Sequence, residues 1–191
     1  FALSEATDGA AAGRHTVFGV ILGTGVGGGI AISGRRLAGP NAIAGEWGHN
    51  PLPAPTDAER PGPECYCGRR GCIETFLSGP GLARDYAASG GDAATAEEIV
   101  TRSAAGELRA NQALERYEDR LARSLGTVIN LLDPDAIVLG GGLSNVERLY
   151  ANVPALLEGY VFSDRVDTTL VAPTHGDASG VRGAAWLWND P

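Results

Sequence analysis

Short apolar runs alternate along the chain with segments whose apolar residues follow a helical spacing. Residues 16–22 are rich in β-branched and apolar side chains and predict a buried strand, and residues 30–33 predict the strand that returns beside it. The glycine-rich run between them, residues 23–29, predicts a tight turn. The pattern therefore favours a β-hairpin, followed by a third strand after a turn at residues 34–36.

Helical patterns dominate the middle of the chain. Thr95 and Glu98 have the spacing of a capping box, which predicts that a helix starts there. A longer helix is predicted from about residue 106 to residue 132, where apolar residues recur at three- and four-residue steps until Asp133-Pro134. Further elements are predicted in the order strand, helix, strand and helix, at residues 136–139, 153–160, 170–173 and 180–188, the last with Ser179 as a candidate cap. This order predicts an α/β fold.

Charge and composition exclude several classes of function. The formal net charge is −8, and all 15 basic residues are arginine, with no basic run of the kind that nucleic-acid binders carry. Without lysine the chain has neither a Walker-type phosphate loop nor a Schiff-base lysine. No segment approaches the roughly 20 apolar residues needed to span a bilayer. We therefore expect no nucleic-acid partner and no membrane partner for this chain.

The three cysteines lie close together, at Cys65, Cys67 and Cys72. Their odd number and the glycines between them disfavour disulfides and favour a metal site in a reducing compartment, which predicts a cytoplasmic protein. Zinc prefers four tetrahedral ligands, and His49 is the nearest histidine, across a proline-rich loop at residues 50–64. The pattern predicts a structural zinc module at about residues 45–75; the alternative is three reduced cysteines in a core.

Two carboxylates flank the predicted metal ligands. Glu46 lies three residues before His49, and Glu74 lies two residues after Cys72. A metal that fixes His49 and Cys72 would also fix these carboxylates, and ionised carboxylates accept strong hydrogen bonds from hydroxyl groups. The spacing favours a site for a polyhydroxylated ligand, and the alternative is ordinary surface charge.

Two glycine-rich turns are candidate nucleotide-binding segments. Gly23, Thr24 and Gly25 lie in a G-x-G-x-x-G pattern, but a predicted strand follows it, whereas a dinucleotide fold needs a helix there. Backbone N–H groups and the Thr24 hydroxyl at such a hairpin turn could contact phosphate; the alternative is a hairpin without a ligand. Residues 140–142, Gly140-Gly141-Gly142, join a predicted strand to a helix and could pass close to a ribose or a base, or form a plain turn.

These motifs together resemble the ROK family of bacterial sugar kinases and sugar-responsive repressors, along essentially the whole chain. Residues 22–29 resemble the second phosphate motif of the family, and residues 46–49 match its E-x-G-H motif. Residues 65–74 match C-x-C-G-x-x-G-C-x-E, which is highly specific, and residues 138–142 resemble the segment on the adenosine side. Among members of the family, the chain is similar first to bacterial fructokinases and next to N-acetylglucosamine kinases.

The resemblance implies an actin-like, ribonuclease-H-like fold of two lobes with an inserted zinc knot. It also implies phosphorylation of a hexose, fructose first, by ATP with Mg²⁺, in a cytoplasmic homodimer. The alternatives are an N-acetylglucosamine or glucose kinase and the effector-binding domain of a repressor. By position, Glu46, His49 and Glu74 would contact sugar hydroxyls, and the three cysteines with His49 would bind zinc. The two glycine-rich turns, Gly23-Thr24-Gly25 and Gly140-Gly141-Gly142, would contact ATP.

The chain departs from the family at its front. The resemblance implies an upstream D-x-G-G-T-like motif and an upstream aspartate that acts as general base, and neither is matched within residues 1–191. We therefore expect these residues to form the larger, C-terminal lobe and to have negligible kinase activity alone. We also expect the last helix, at about residues 180–189, to pack on the absent lobe, which would leave Trp186 and Trp188 unusually exposed.

Overall fold

A mixed β-sheet of five strands forms the centre of the fold in the computed structural model, which describes residues 1–176 and 179–187. The strands are β1 (Thr16–Leu22), β2 (Val26–Ile32), β3 (Arg35–Arg36), β4 (Ala136–Gly140) and β5 (Thr169–Val171), in the spatial order β3-β2-β1-β4-β5. β2 pairs antiparallel with β1 and β3, whereas β1, β4 and β5 pair in parallel. β2 therefore runs opposite to its four companions, and the predicted hairpin is confirmed.

The two central strands are covered on both faces, as a parallel pair requires. Alternate residues of β4 belong to different cores: Ile137 and Leu139 pack with the larger cluster, and Ala136 and Val138 pack with the smaller one. β1 divides in the same way, with Phe18 in the larger cluster and Val17 in the smaller. Successive side chains of a strand point to opposite faces, and both faces are covered here. This explains why the sequences of both strands are unbroken apolar runs.

Seven helices are described around the sheet within residues 1–176 and 179–187: α1 (Ala2–Thr7), α2 (Ile73–Leu77), α3 (Gly79–Ala88), α4 (Ala96–Ala104), α5 (Leu108–Leu132), α6 (Arg148–Leu157) and α7 (Ser179–Trp186). α5 is the predicted long helix, and its apolar stripe lies in the larger core. It ends at Asp133, whose φ of 46° is left-handed, directly before Pro134. The capping box of Thr95 and Glu98 is also confirmed at the start of α4.

Several local predictions differ from the structure. The strand β2 begins at residue 26, inside the glycine-rich run predicted as a turn, and β3 lies within the turn predicted at residues 34–36. α6 spans Arg148–Leu157 rather than about residues 153–160, and its buried stripe of Leu149, Val153 and Leu157 begins one residue after the start of the helix. Ser179 does not precede the last helix but is its first residue, and its hydroxyl donates to Glu5. The α1 helix was not predicted, since its six residues are too few to show a helical period.

α7 packs against α1 on the face of the smaller core. The Glu5 carboxylate is buried and accepts hydrogen bonds from the Ser179 hydroxyl at 2.5 Å and from the Thr174 backbone N–H at 3.1 Å. Trp186 is half-buried, contrary to the expectation of unusual exposure, because α7 has this partner within the chain. Trp188 and Asn189, the end of the predicted helix, lie outside the described residues. Among the helices that the structure describes, none combines the length and apolar content needed to cross a bilayer.

Candidate functional site

The four predicted metal ligands converge in space. One ligand atom from each of His49, Cys65, Cys67 and Cys72 lies within 4.8 Å of all the others. The Sγ atoms of Cys67 and Cys72 are 3.7 Å apart, and the Sγ atom of Cys65 is 3.5 Å from Nδ1 of His49. A tetrahedron with Zn–S bonds of about 2.3 Å and a Zn–N bond of about 2.0 Å has edges of about 3.8 and about 3.5 Å. The donor set and its spacing therefore fit a structural zinc ion.

Backbone pairing builds this cluster from two segments. The Cys65 N–H donates to Arg69 O at 2.8 Å, and the Gly68 N–H donates back to Cys65 O at 3.0 Å, which closes a tight loop around Cys67. Gly68 has a φ of +85°, a conformation that a residue with a side chain rarely adopts. The Ile73 N–H donates to Asn50 O at 2.9 Å, which brings His49 beside Cys72.

The thiols of the cluster have different acidities. Burial, followed by the neighbouring thiols of Cys67 and Cys65, raises the pKa of Cys72 to about 12. The backbone N–H of Arg69 lowers the pKa of the exposed Cys67. A divalent cation would reverse the effect of burial on Cys72, because metal coordination stabilises the thiolate.

Glu74 lies in the first turn of α2, two residues after Cys72, and its side chain reaches the β1–β2 turn. Its Oε2 accepts a hydrogen bond from the Val26 N–H at 2.9 Å, and its own N–H donates to Gly48 O at 2.8 Å. Gly25 is required here, since a Cβ at that position would lie 2.7 Å from the same Oε2. The Oε1 atom makes no hydrogen bond to the residues that the structure describes, so one carboxylate oxygen is left for a ligand.

The loop at residues 45–49 packs directly on β2. Trp47 is buried, donates its Nε1–H to Gly27 O at 2.9 Å and meets the Phe18 ring edge-on at 5.6 Å. A Cβ at Gly28 would lie 2.7 Å from Gly45 O. Part of the glycine-rich run therefore serves this close approach rather than a phosphate. Glu46, next to Trp47, is exposed.

Tyr66 joins the site although the sequence patterns did not indicate it. Its hydroxyl lies 2.9 Å from Nε2 of His49, and the two rings meet edge-on with centroids 5.0 Å apart. The charge of Glu74, with smaller effects that include burial and Glu46, raises the pKa of Tyr66. The signal that could have found it is an aromatic residue between two predicted metal ligands.

A cavity of about 860 Å³ opens beside the β1–β2 turn. Gly23, Thr24 and Gly142 line it, as predicted, and bring the two glycine-rich turns together. The remaining walls come mainly from the apolar side chains of α3, α4 and the 3-10 turn at Gly142–Asn145: Pro80, Ala83, Val100, Leu143 and Val146. The volume and the mostly apolar lining suit a ligand of nucleotide size.

Three of the predicted ATP-binding glycines lie outside the lining of this cavity. Gly25 lies against Glu74, and a Cβ at Gly140 would meet the Phe1 ring at 2.6 Å. Gly141 has a φ of +80° and packs on Leu22 O, which lets the chain turn sharply after β4. The packing of the chain explains why each of these three positions is a glycine. Their contact with a nucleotide stays a prediction.

The β1–β2 turn connects the cavity to the carboxylate. The Gly79 N–H, at the start of α3, donates to Gly23 O at 2.8 Å, and the Gly23 N–H donates to Gly25 O at 3.0 Å. The exposed Thr24 side chain makes no hydrogen bond within the described part of the chain and lines the cavity. Four consecutive residues, from Gly23 to Val26, thus contact α3 and the cavity at one end and Glu74 at the other.

A family model described as the ROK family matches residues 1–191. The chain belongs to the ROK family. Among its curated relatives, the N-acetyl-D-glucosamine kinase of Photobacterium profundum is 41% identical over 191 residues, which is 98% of this chain and 63% of that protein. The chain thus spans less than two thirds of the length of this ROK relative. The expectation of a fructokinase is not supported, since the relatives found point to N-acetylglucosamine instead.

Solved ROK structures share the fold. A ROK glucokinase from Streptomyces griseus, in complex with glucose and AMPPNP, has a TM-score of 0.85 at 26% identity, over 97% of this chain and 64% of that one. A ROK transcriptional regulator, a homologue of the E. coli MLC protein, has a TM-score of 0.83 at 23% identity, over 99% of this chain and 49% of that one. Kinases and a regulator of this family therefore share the α/β architecture, and the fold alone does not distinguish them.

Proposed function

We propose that the protein containing this chain transfers a phosphoryl group from ATP to a hexose, with N-acetyl-D-glucosamine as the first candidate and glucose as the second. The observation that carries the proposal is the β1–β2 turn, which has a nucleotide-sized cavity on one side and the Glu74 carboxylate on the other. Phosphoryl transfer depends mainly on positioning two substrates side by side. The choice of sugar rests on the 41% identity to an N-acetyl-D-glucosamine kinase.

On the sugar side, we assign the binding of hydroxyl groups to Glu74, Glu46 and His49. Glu74 holds Oε2 on the Val26 N–H and offers Oε1 as an acceptor. Glu46 is exposed next to the buried Trp47, which fixes the backbone from which its carboxylate projects. Carboxylates accept hydrogen bonds from sugar hydroxyls in a directional manner, and so orient the ring.

We assign a zinc ion to Cys65, Cys67, Cys72 and Nδ1 of His49. A closed set of four protein ligands has no open position for water, so the role of zinc is to fix the loop. The ion would hold the 45–49 loop and the start of α2 together, which sets the positions of Glu46 and Glu74.

We assign the nucleotide to the cavity at Gly23, Thr24 and Gly142. The Thr24 hydroxyl and the backbone of the turn would contact phosphate oxygens, with the nucleoside against the apolar walls of α3 and α4. Magnesium would accompany ATP and offset the phosphate charge, since the lining residues include no arginine. The general base that the family resemblance implies is not matched within residues 1–191, so we propose that this chain alone has negligible turnover.

The test is a coupled ATP-consumption assay with N-acetylglucosamine, glucose and fructose, on this chain and on a form extended to the length of its relatives. We expect the extended form to prefer N-acetylglucosamine over fructose by at least about tenfold in kcat/KM, a ratio that a pocket sets through few contacts. A preference for fructose would overturn the sugar assignment. Absence of ATP turnover with every sugar, together with ligand-dependent DNA binding, would favour the regulator of this family instead.

Thr24 offers a separate test of the nucleotide assignment. Thr24→Val removes a hydroxyl that has no partner in the described chain, so stability should not change. Loss of one phosphate contact should raise the Kd for ATP about five- to tenfold and leave sugar binding as it is. Thr24→Ser, which keeps the hydroxyl, is the matched control and should bind ATP as the wild type does.

A further inference from the structure

The Tyr66 side chain is held by one hydrogen bond. The residue is 85% exposed, and within the described residues its hydroxyl bonds only to Nε2 of His49, at 2.9 Å. The backbone on either side is fixed by the Cys65–Gly68 loop. The ring can therefore turn about its own side-chain bonds, without any change in the loop that carries the thiols.

The two ring nitrogens of His49 have different neighbours. Nδ1 lies 3.5 Å from Sγ of Cys65, on the side of the metal ligands, whereas Nε2 faces Tyr66. If Nδ1 serves the metal, Nε2 is the one ring atom of His49 that remains for a sugar hydroxyl. In the structure the Tyr66 hydroxyl already bonds to that atom.

The surroundings of the phenol are those of the proposed sugar site. The Tyr66 hydroxyl bonds to Nε2 of His49, and the Glu74 N–H bonds to the carbonyl oxygen of Gly48, the residue before His49. The charge of Glu74 also raises the pKa of the Tyr66 phenol, which agrees with a place beside the groups assigned to the sugar. A sugar hydroxyl that bonds to Nε2 would have to take the place that the phenol occupies.

We propose that the Tyr66 hydroxyl occupies the sugar-hydroxyl position on His49 Nε2 when no sugar is bound, and that the sugar displaces it. This inference rests on the proposed function, since it takes His49 as a sugar ligand. Tyr66 is then a residue that tunes affinity and selectivity, because every sugar that binds must first break the phenol's hydrogen bond. A sugar that lacks the matching hydroxyl cannot replace that bond and is disfavoured.

The experiment is a calorimetric titration of N-acetylglucosamine into the wild type and Tyr66→Phe, in the extended form. Tyr66→Phe keeps the ring and removes the competing hydroxyl, so we expect the Kd and KM for the sugar to fall about two- to tenfold, the worth of one exchanged hydrogen bond. The kcat, the Kd for ATP and the metal content should stay at their wild-type values. Tyr160→Phe is the matched control: it also removes a bonded phenol hydroxyl, on Asp119 of α5, and should leave the sugar Kd unchanged.

The possible outcomes distinguish a failure of this inference from a failure of the proposed function. If the wild type binds the sugar but Tyr66→Phe binds it equally or more weakly, the displacement is refuted and the proposed function stands. If the wild type binds none of the sugars, the proposed function fails and this inference fails with it. A metal content that falls in Tyr66→Phe would also overturn the inference, since Tyr66 would then support the metal ligands instead.

Discussion

The Glu59 carboxylate lies 2.8 Å from the guanidinium of Arg123, a residue 64 positions further along the chain. Arg120 donates to the same carboxylate oxygen at 2.7 Å, and all three side chains are buried. Glu59 belongs to the proline-rich loop and both arginines belong to α5, so this contact fixes the loop that connects His49 to the cysteines. The candidate metal ligands are thus positioned from the helix as well as from their own backbone pairing.

We expect Glu59→Gln to lower the free energy of unfolding by about 2–4 kcal/mol, because it removes the carboxylate that pairs with both buried arginines. Among the described residues, Arg120 then keeps only Asp85 as a paired carboxylate, and Arg123 keeps only Asp119. Urea denaturation of both proteins measures this difference. Glu64→Gln is the matched control, since Glu64 pairs with Arg70 at 2.7 Å on the surface. A surface pair contributes less than about 1 kcal/mol. Equal effects of the two substitutions would contradict the role assigned to Glu59.

Acid should weaken the same contact. Burial raises the pKa of Glu59, but hydrogen bonds from Arg123 and Arg120 outweigh it and lower the pKa from 4.5 to about 2. A carboxyl group with a lowered pKa stabilises the fold above its unfolded pKa, and this stability is lost as the pH falls from about 4.5 towards 2. The loss amounts to at most about 3 kcal/mol. The difference in the free energy of unfolding between the wild type and Glu59→Gln, measured by urea denaturation, should therefore become smaller as the pH falls over this range. A difference that does not change with pH would contradict this prediction.

Gly28→Ala tests the close approach of the 45–49 loop to β2. Its Cβ would lie 2.7 Å from Gly45 O and 2.9 Å from the Trp47 ring, so the loop must shift. We expect a loss of about 1–3 kcal/mol in stability and weaker sugar binding, because the shift moves Glu46 and His49. Gly27→Ala is the neighbouring control, since nothing lies within 4 Å of its Cβ position. Thermal unfolding measures the stability of both variants, and calorimetry measures their sugar binding. A loss of stability confined to Gly27→Ala would refute the packing argument.

Elemental analysis of protein purified without chelators tests the metal assignment. We expect about one zinc per chain in the wild type, because one histidine nitrogen and three cysteine sulfurs lie within 4.8 Å of one another. His49→Ala should lose most of this zinc, and a chelator should lower the thermal stability of the wild type. His15→Ala, at an exposed histidine bonded to Ser33, is the control and should keep the ion. A folded wild-type protein without bound zinc would refute the assignment of zinc to His49 and the three cysteines.

Elements with a strong local signal were predictable. The Thr16–Leu22 strand has the predicted bounds, and α5 departs by two residues at its start, because each has an unbroken apolar pattern and a clear stop. α1 was missed because its six residues are held by α7, through contacts such as the hydrogen bond from Ser179 to Glu5, which join distant parts of the chain. The sequence of such a short element does not by itself predict a helix, because the contacts that stabilise the helix come from elsewhere in the chain.

The clustering of the candidate metal ligands was predictable from the sequence. The spacing predicted that His49 and the three cysteines lie together, and their ligand atoms do converge, whereas their binding of a metal stays a prediction. The glycine motifs were harder, because Gly28 and Gly25 are required by Trp47 and Glu74, both distant in sequence. Tyr66 was missed although it lies between two predicted metal ligands, because its contact with His49 depends on where the loop places that histidine.

The β1–β2 turn serves both halves of the proposed site with the same four residues, Gly23 to Val26. A nucleotide that shifts this turn at Thr24 far enough to move the Val26 N–H would also move the oxygen of Glu74 that the N–H holds. The two substrates are then thermodynamically coupled. If ATP changes the affinity for the sugar by some factor, the sugar changes the affinity for ATP by the same factor, without any further element to transmit it.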